Sequence, residues 1–146
     1  MPTDQDTNEL AGTADPAELA DISGAIKAVY TEQFGREPGR THSHYVGPDA
    51  IACFLRDTLT RAERRLSTLD EHQRLRDMRM LFQYSAEIEF REAVEQITGR
   101  TVIAFISGID TKTDVASEIF LLESQEPTND DDARGEAAAA TSSDQG

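Results

Sequence analysis

In Thr98-Gly99-Arg100-Thr101-Val102-Ile103-Ala104-Phe105-Ile106-Ser107, a helix gives way to a strand within three residues. Gly99 is a stop signal, because glycine reaches the left-handed conformation that closes a helix. Thr101 to Ile106 is β-rich and apolar throughout, the pattern of a strand covered on both faces or placed centrally. Downstream, Gly108 to Asp114 reads as a polar loop, and Ala116 to Glu123 as a second strand carrying Ile119, Phe120, Leu121 and Leu122. The two strands make a hairpin.

Upstream of Gly99 the period changes. Leu75, Met78, Phe82, Ala86, Phe90, Ala93 and Ile97 recur at spacings of three and four, with Arg74, Arg76, Glu87, Glu89, Arg91, Glu92 and Glu95 mostly on the other side. This predicts a helix over 70–98 whose apolar stripe, Phe82 at its middle, is buried against a sheet. Thr60 with Glu63 and Asp70 with Gln73 have capping-box spacing. They place a short helix at 60–67 before the long one, unless the two form a single bent helix.

The same grammar occurs earlier in the chain. Gly39-Arg40-Thr41 echoes Gly99-Arg100-Thr101, and each triplet opens a hairpin whose first strand ends at a glycine, Gly47 or Gly108. Arg40 to Val46 and Ala50 to Leu55 are the strands of the first hairpin, joined by Gly47-Pro48-Asp49. Ile51, Cys53 and Leu55 share one face, Ala52 and Phe54 the other, as in a central strand. Before it, Asp15 caps a helix over 16–34. Pro16 suits the first helical position, Glu18 completes a capping-box pattern, and Gly35 ends it. Its face is Leu19, Ile22, Ile26, Val29, Tyr30 and Phe34. The expected architecture is an α+β two-layer sandwich in the order helix, hairpin, helix, hairpin. A four-stranded, mainly antiparallel sheet carries the helices on one face.

Composition narrows the function. The 146 residues carry 28 acids against 14 Lys+Arg, a formal net charge of −14, which repels nucleic acid and anionic lipid surfaces. The ends are the most acidic. Residues 1–15 hold Asp4, Asp6, Glu9 and Asp15 without a base, and residues 125–146 hold six acids against Arg134. Both have too few large apolar residues to offset chain entropy and are expected to be disordered, flanking one domain at 16–124. Only Lys27 and Lys112 are lysines, a bias that fits either a high-salt cytoplasm or a GC-rich genome. No apolar run is long enough to span a bilayer. Met1 to Leu10 has neither the basic nor the apolar region of a secretory signal, so a cytoplasmic location is expected.

Chemistry-bearing residues are few. His42 and His44 share one side of a strand but lack a third metal ligand nearby, and His72 is distant on a helix. Cys53, the one cysteine, sits in an apolar strand as a buried core residue and excludes an internal disulfide. Asp110 and Asp114 flank Lys112 with no calcium-loop spacing, as in a solvated turn. Ser107 and Ser117 lack a nucleophile elbow. Arg61, Arg64, Arg65, Arg74, Arg76 and Arg79 form a local basic cluster. Arg74, Arg76, Arg79 and, within the second triplet, Arg100 are candidate contacts for a partner or an anion. The competing reading pairs the helical arginines with Glu63, Asp70, Glu71 and Asp77. No residue is nominated as catalytic, and no cofactor or metal site is expected.

Several segments in order carry a resemblance. They are Ile22-Ser23-Gly24-Ala25-Ile26, Tyr30 with Phe34-Gly35-Arg36-Glu37-Pro38, Leu59-Thr60-Arg61-Ala62-Glu63, Arg76-Asp77-Met78-Arg79-Met80-Leu81-Phe82, and Thr98 to Ser107, followed by Asp114 and Ile119-Phe120-Leu121-Leu122. Over about residues 16–124 the chain resembles the MpsC-like family. Its name derives from a Na+-translocating, membrane-potential-generating system in which it is the small soluble third component. The resemblance implies a partner role beside a membrane complex that moves cations and is linked to inorganic-carbon uptake. It supplies no catalytic residues. The expected function is a non-enzymatic cytoplasmic accessory subunit, peripheral to the inner face of the membrane. A small anion-sensing regulatory domain is the alternative, a small enzyme the less favoured one, and a homodimer a candidate assembly.

Overall fold

Asp15 starts the first helix. Its side chain accepts a hydrogen bond from the Ala17 N–H at 2.9 Å, Pro16 occupies the first turn, and α1 runs Pro16–Phe34. Gly35, at φ 68°, closes it and donates its N–H to the Thr31 carbonyl. Glu18 bonds to the Tyr45 hydroxyl across the fold. The computed structural model describes residues 15–125. Apart from Asp15 and Gln125, the two acidic terminal segments lie outside the described residues.

Two strands follow, β1 (Thr41–Tyr45) and β2 (Ala50–Arg56), turned by Gly47 at φ 72°. Three helices come next: α2 (Arg61–Thr68), α3 (His72–Ser85) and α4 (Glu87–Thr98). The Thr60–Glu63 capping box forms in full at the start of α2. The expected Asp70–Gln73 box does not form. Asp70 adopts φ 60° in the turn before α3, whose N-cap is Glu71 with no side-chain cap bond. The helix expected over 70–98 is two helices, because the chain leaves helical geometry at Ala86 (φ −97°, ψ 14°). Gly99 closes α4 in the left-handed conformation.

The second hairpin pairs β3 (Val102–Asp110) with β4 (Val115–Leu122). The segment read as a loop from Gly108 starts later, because the strand continues through Gly108 and Ile109 to Asp110. All pairings are antiparallel and the strand order is β1-β2-β4-β3. So β2 is central, as its two apolar faces suggest, whereas β3 is an edge strand. Its continuous apolar run has a different cause: the register shifts between Val102 and Ala104, a bulge that leaves Ile103 exposed.

One face of the sheet is dressed. Ile51, Cys53 and Leu55 from β2, Ala116, Phe120 and Leu122 from β4, and Val102 and Phe105 from β3 pack with Ile22, Ile26 and Tyr30 of α1 and Phe90 and Val94 of α4. Tyr30, Phe90, Phe105 and Phe120 form a chain of ring contacts, with centroids 5.8, 5.5 and 5.4 Å apart. Helix α2 packs on α3. Leu75, Ala86 and Phe90 of the expected stripe are buried, but between Leu75 and Ala86 the buried positions move one residue on, from Met78 and Phe82 to Arg79 and Gln83. Leu75, Arg79, Gln83, Ala86, Phe90 and Val94 are buried, while Phe82 is 42% exposed and its ring meets Phe34 edge-on. The inward positions next to Met78 and Phe82 hold polar side chains, and those side chains have partners waiting.

Candidate functional site

The partners build a buried polar column between α3 and the sheet. Arg79 is fully buried. Its Nε donates to Glu63 Oε2 at 2.5 Å, and its Nη2 to Glu63 Oε1 at 2.8 Å and to the Thr58 carbonyl at 2.7 Å. The guanidinium carbon lies 3.8 Å from the centre of the Phe34 ring. Burial alone would raise the Glu63 carboxyl. Arg79 and the Thr60 N–H together hold it below its ordinary value. One residue thus caps α2 and anchors α3.

One turn along, Gln83 donates to Ser107 Oγ at 2.7 Å and to Glu118 Oε1 at 3.2 Å. The same carboxyl oxygen accepts from Tyr30 Oη at 2.6 Å and from Ser107 Oγ at 2.9 Å. Glu118 is entirely buried in β4, and burial pushes its carboxyl up to about 8, against the lowering effect of those three hydrogen bonds and of Arg79. Burial, then the charge of Glu118, raises the Tyr30 phenol well above its usual value. Arg79 Nη1, Gln83 Oε1 and Glu118 Oε2 have no hydrogen-bond partner. Burial favours the protonated form of the Glu118 carboxyl, which is sealed from solvent in the column. Sequence reasoning passed over it because the apolar pattern of α3 pointed one residue away. The available signal was Glu118 itself, in phase with the inward Ala116, Phe120 and Leu122.

The candidate arginines separate into two kinds. Arg79 belongs to the buried column and shares no surface with Arg76. Arg100 reaches Asp49 at 2.6 Å and the carbonyls of Pro48 at 2.8 Å and Glu123 at 2.9 Å, tying the two hairpins together. Arg74 and Arg76 remain exposed, Arg74 with an i,i+3 contact to Glu71 at 3.3 Å. Arg64 pairs with Asp57, and Arg36 joins the same carboxylate at 3.1 Å. Arg74 lies seven residues before Leu81 on α3, so the two share one outward face, and Ile88 lies past the break at Ala86, in the first turn of α4. Leu81 is 69% and Ile88 68% exposed.

The remaining candidates are placed by the fold. His42 and His44 make an edge-on ring contact at 5.3 Å on the undressed face of the sheet. Burial, then Arg40, His44 and Arg56, lowers the His42 imidazole below its ordinary value. His72 bonds to Thr111 Oγ1. Among the described residues no group of three or more His, Cys, Asp or Glu side chains could hold a metal ion. Cys53 is buried, and burial pushes its thiol up to about 11. Asp110 accepts from the N–H groups of Lys112 and Thr113 in the turn. Asp114 accepts from the N–H of Thr58 and Leu59 and from Thr58 Oγ1, joining the turn to the loop before α2.

Fold and site define a class: a small α+β domain with one helix-covered sheet face, a sealed polar column and no described helix long and apolar enough to cross a membrane. The family model for MpsC, described as the Na+-translocating membrane potential-generating system, matches residues 18–124, and the chain belongs to that family. No curated protein and no solved structure matches it.

Proposed function

We propose that the chain is a non-catalytic accessory subunit of a Na+-translocating, membrane-potential-generating system, working from the cytoplasm and docking at the inner face of the membrane complex. Family membership supports the system. The observation that carries the docking role is the outward side of α3 and α4. Leu81 of α3 and Ile88 of α4 stand more than two-thirds exposed there, with Arg74 on the Leu81 side of α3. Aliphatic side chains so exposed on helix faces, with a guanidinium on the Leu81 side in an acidic chain, suit a partner groove that is apolar at its centre and acidic at its rim.

The test is capture of the membrane complex from native membranes by the tagged chain. Leu81→Asp with Ile88→Asp is expected to abolish capture. Arg74→Ala with Arg76→Ala is expected to weaken it. Because these side chains are exposed, melting temperatures should stay within a few degrees. Undiminished capture by the Leu81/Ile88 variant would overturn this docking surface.

A further inference from the structure

The sheet's second face carries the further inference. The registers set its outward residues in four rows across β1, β2, β4 and β3. Arg40, Arg56, Val115 and Asp110 form the first row. His42, Phe54, Ser117 and Gly108 form the second, and His44, Ala52, Ile119 and Ile106 the third. Val46, Ala50, Leu121 and Ala104 form the fourth. Arg40 and Val46 extend the ladder through the bonds Arg56 N–H to Arg40 O and Val46 N–H to Ala50 O. The described helices dress the opposite face, so this one stands open. Ile106 is 50% and Phe54 and Leu121 are each 38% exposed. Asp110 is the one carboxylate in the grid, in a chain with 28 acids.

We infer that two copies of the chain stack face to face through this sheet, about a two-fold axis running along the strands between β2 and β4. That operation leaves each row in place and exchanges its ends, laying β1 over β3 of the second copy and β2 over β4. In the first row Arg40 then faces Asp110 at both ends of the interface. In the second, Phe54 faces the small Ser117. In the third, Ala52 faces Ile119, and in the fourth Ala50 faces Leu121 and Val46 faces Ala104. Large side chains meet small ones at Phe54–Ser117, His42–Gly108 and Ala52–Ile119, as interdigitating sheets require, while His44 meets Ile106 at the two sides. A two-fold axis across the strands would instead stack His42 on His44 and leave Arg40 and Asp110 without opposite charges.

The β3 edge points the same way. Tyr84 Oη accepts from the Ser107 N–H at 3.1 Å, and Arg91 Nη1 donates to the Val102 carbonyl at 3.0 Å, so side chains occupy the free edge of β3. Four strands and four rows span about 19 Å by about 24 Å, or roughly 900 Å² for both copies together. That falls below the roughly 1,200 Å² at which standard stable interfaces begin, in the range of transient contacts, which sets the expectation of a dimer that forms at micromolar concentration or above and dissociates on dilution. The face is separate from the outward side of α3 and α4, so either assignment can fail alone.

Sedimentation of the full chain from nanomolar to near-millimolar concentration is expected to show the mass doubling. Ile106→Arg with Leu121→Arg should leave it monomeric where the unaltered chain is fully dimeric. The charge pair gives a second route that does not depend on those residues. Arg40→Asp and Asp110→Lys chains should each dimerise at least tenfold more weakly alone. Mixed, they should associate, because every Arg40–Asp110 contact in the heterodimer again joins opposite charges. A chain monomeric at all concentrations would overturn the proposal, and so would a dimer indifferent to both sets of changes. So would loss of membrane capture by the Ile106/Leu121 variant in a chain that never dimerises, since the face would then serve the partner.

Discussion

Glu118 shows how one side chain can couple the fold to pH. Its carboxyl is raised by burial to about 8, so between the ordinary carboxylate range and that value the native chain holds a proton that the unfolded chain has released. Its contribution to stability is therefore complete at acid pH, declines as pH rises, and is lost once pH passes about 8. Glu118→Gln imitates the protonated form, and denaturant titrations across this window are expected to lose most of their pH slope. An unchanged slope would assign the effect to another group. Glu63 acts with the opposite sign. Its lowered carboxyl contributes stability at neutral pH that is lost in strong acid, outside the Glu118 window. The Arg79–Glu63 pair is the other residue-scale device. Arg79→Met leaves a buried carboxylate without its partner, and the expected loss is about 3–5 kcal/mol. Adding Glu63→Gln, which keeps an oxygen for the Thr60 N–H, is expected to recover part of that loss in the same titration.

At the scale of the element, α3 separates what the sequence reveals from what it hides. The capping box at Thr60, the left-handed stops at Gly35 and Gly99, and the buried thiol of Cys53 all follow from local chemistry and were legible. The phase of α3 was not. Apolar periodicity favours Met78 and Phe82, yet Arg79 and Gln83 face inward, because Glu63, Ser107 and Glu118 supply their hydrogen bonds from distant segments. No local pattern encodes such partners. The continuous apolar run of β3 misled for a related reason: it reflects a bulge and an open sheet face rather than burial on both sides. The consequence is measurable. Phe82→Ala is expected to cost about 1 kcal/mol, the worth of one aromatic edge contact. Phe90→Ala, in the ring chain at the core, is expected to cost about 3–5 kcal/mol. Equal losses in denaturant titration would contradict the observed phase.

For the whole molecule, the α+β class and the antiparallel four-stranded sheet were legible because Gly35, Gly47 and Gly99, the Thr60 cap and changes of period mark the junctions between helices and strands. The two Gly-Arg-Thr triplets do precede the two outer strands, yet their arginines diverge. Arg100 ties the hairpins together and Arg40 stays on the open sheet face. The candidate contacts were legible only in part. Composition identifies a basic cluster, but only the fold distinguishes Arg74 and Arg76, which face outward, from Arg79 and Arg100, which are held internally.

Cys53 lies in the central strand under the helices, with its thiol fully enclosed. An alkylating reagent can reach it only when β2 parts from its cover. The chain thus contains its own clock: the slow modification of one sulfur in a native solution counts openings of the whole fold, with no label added.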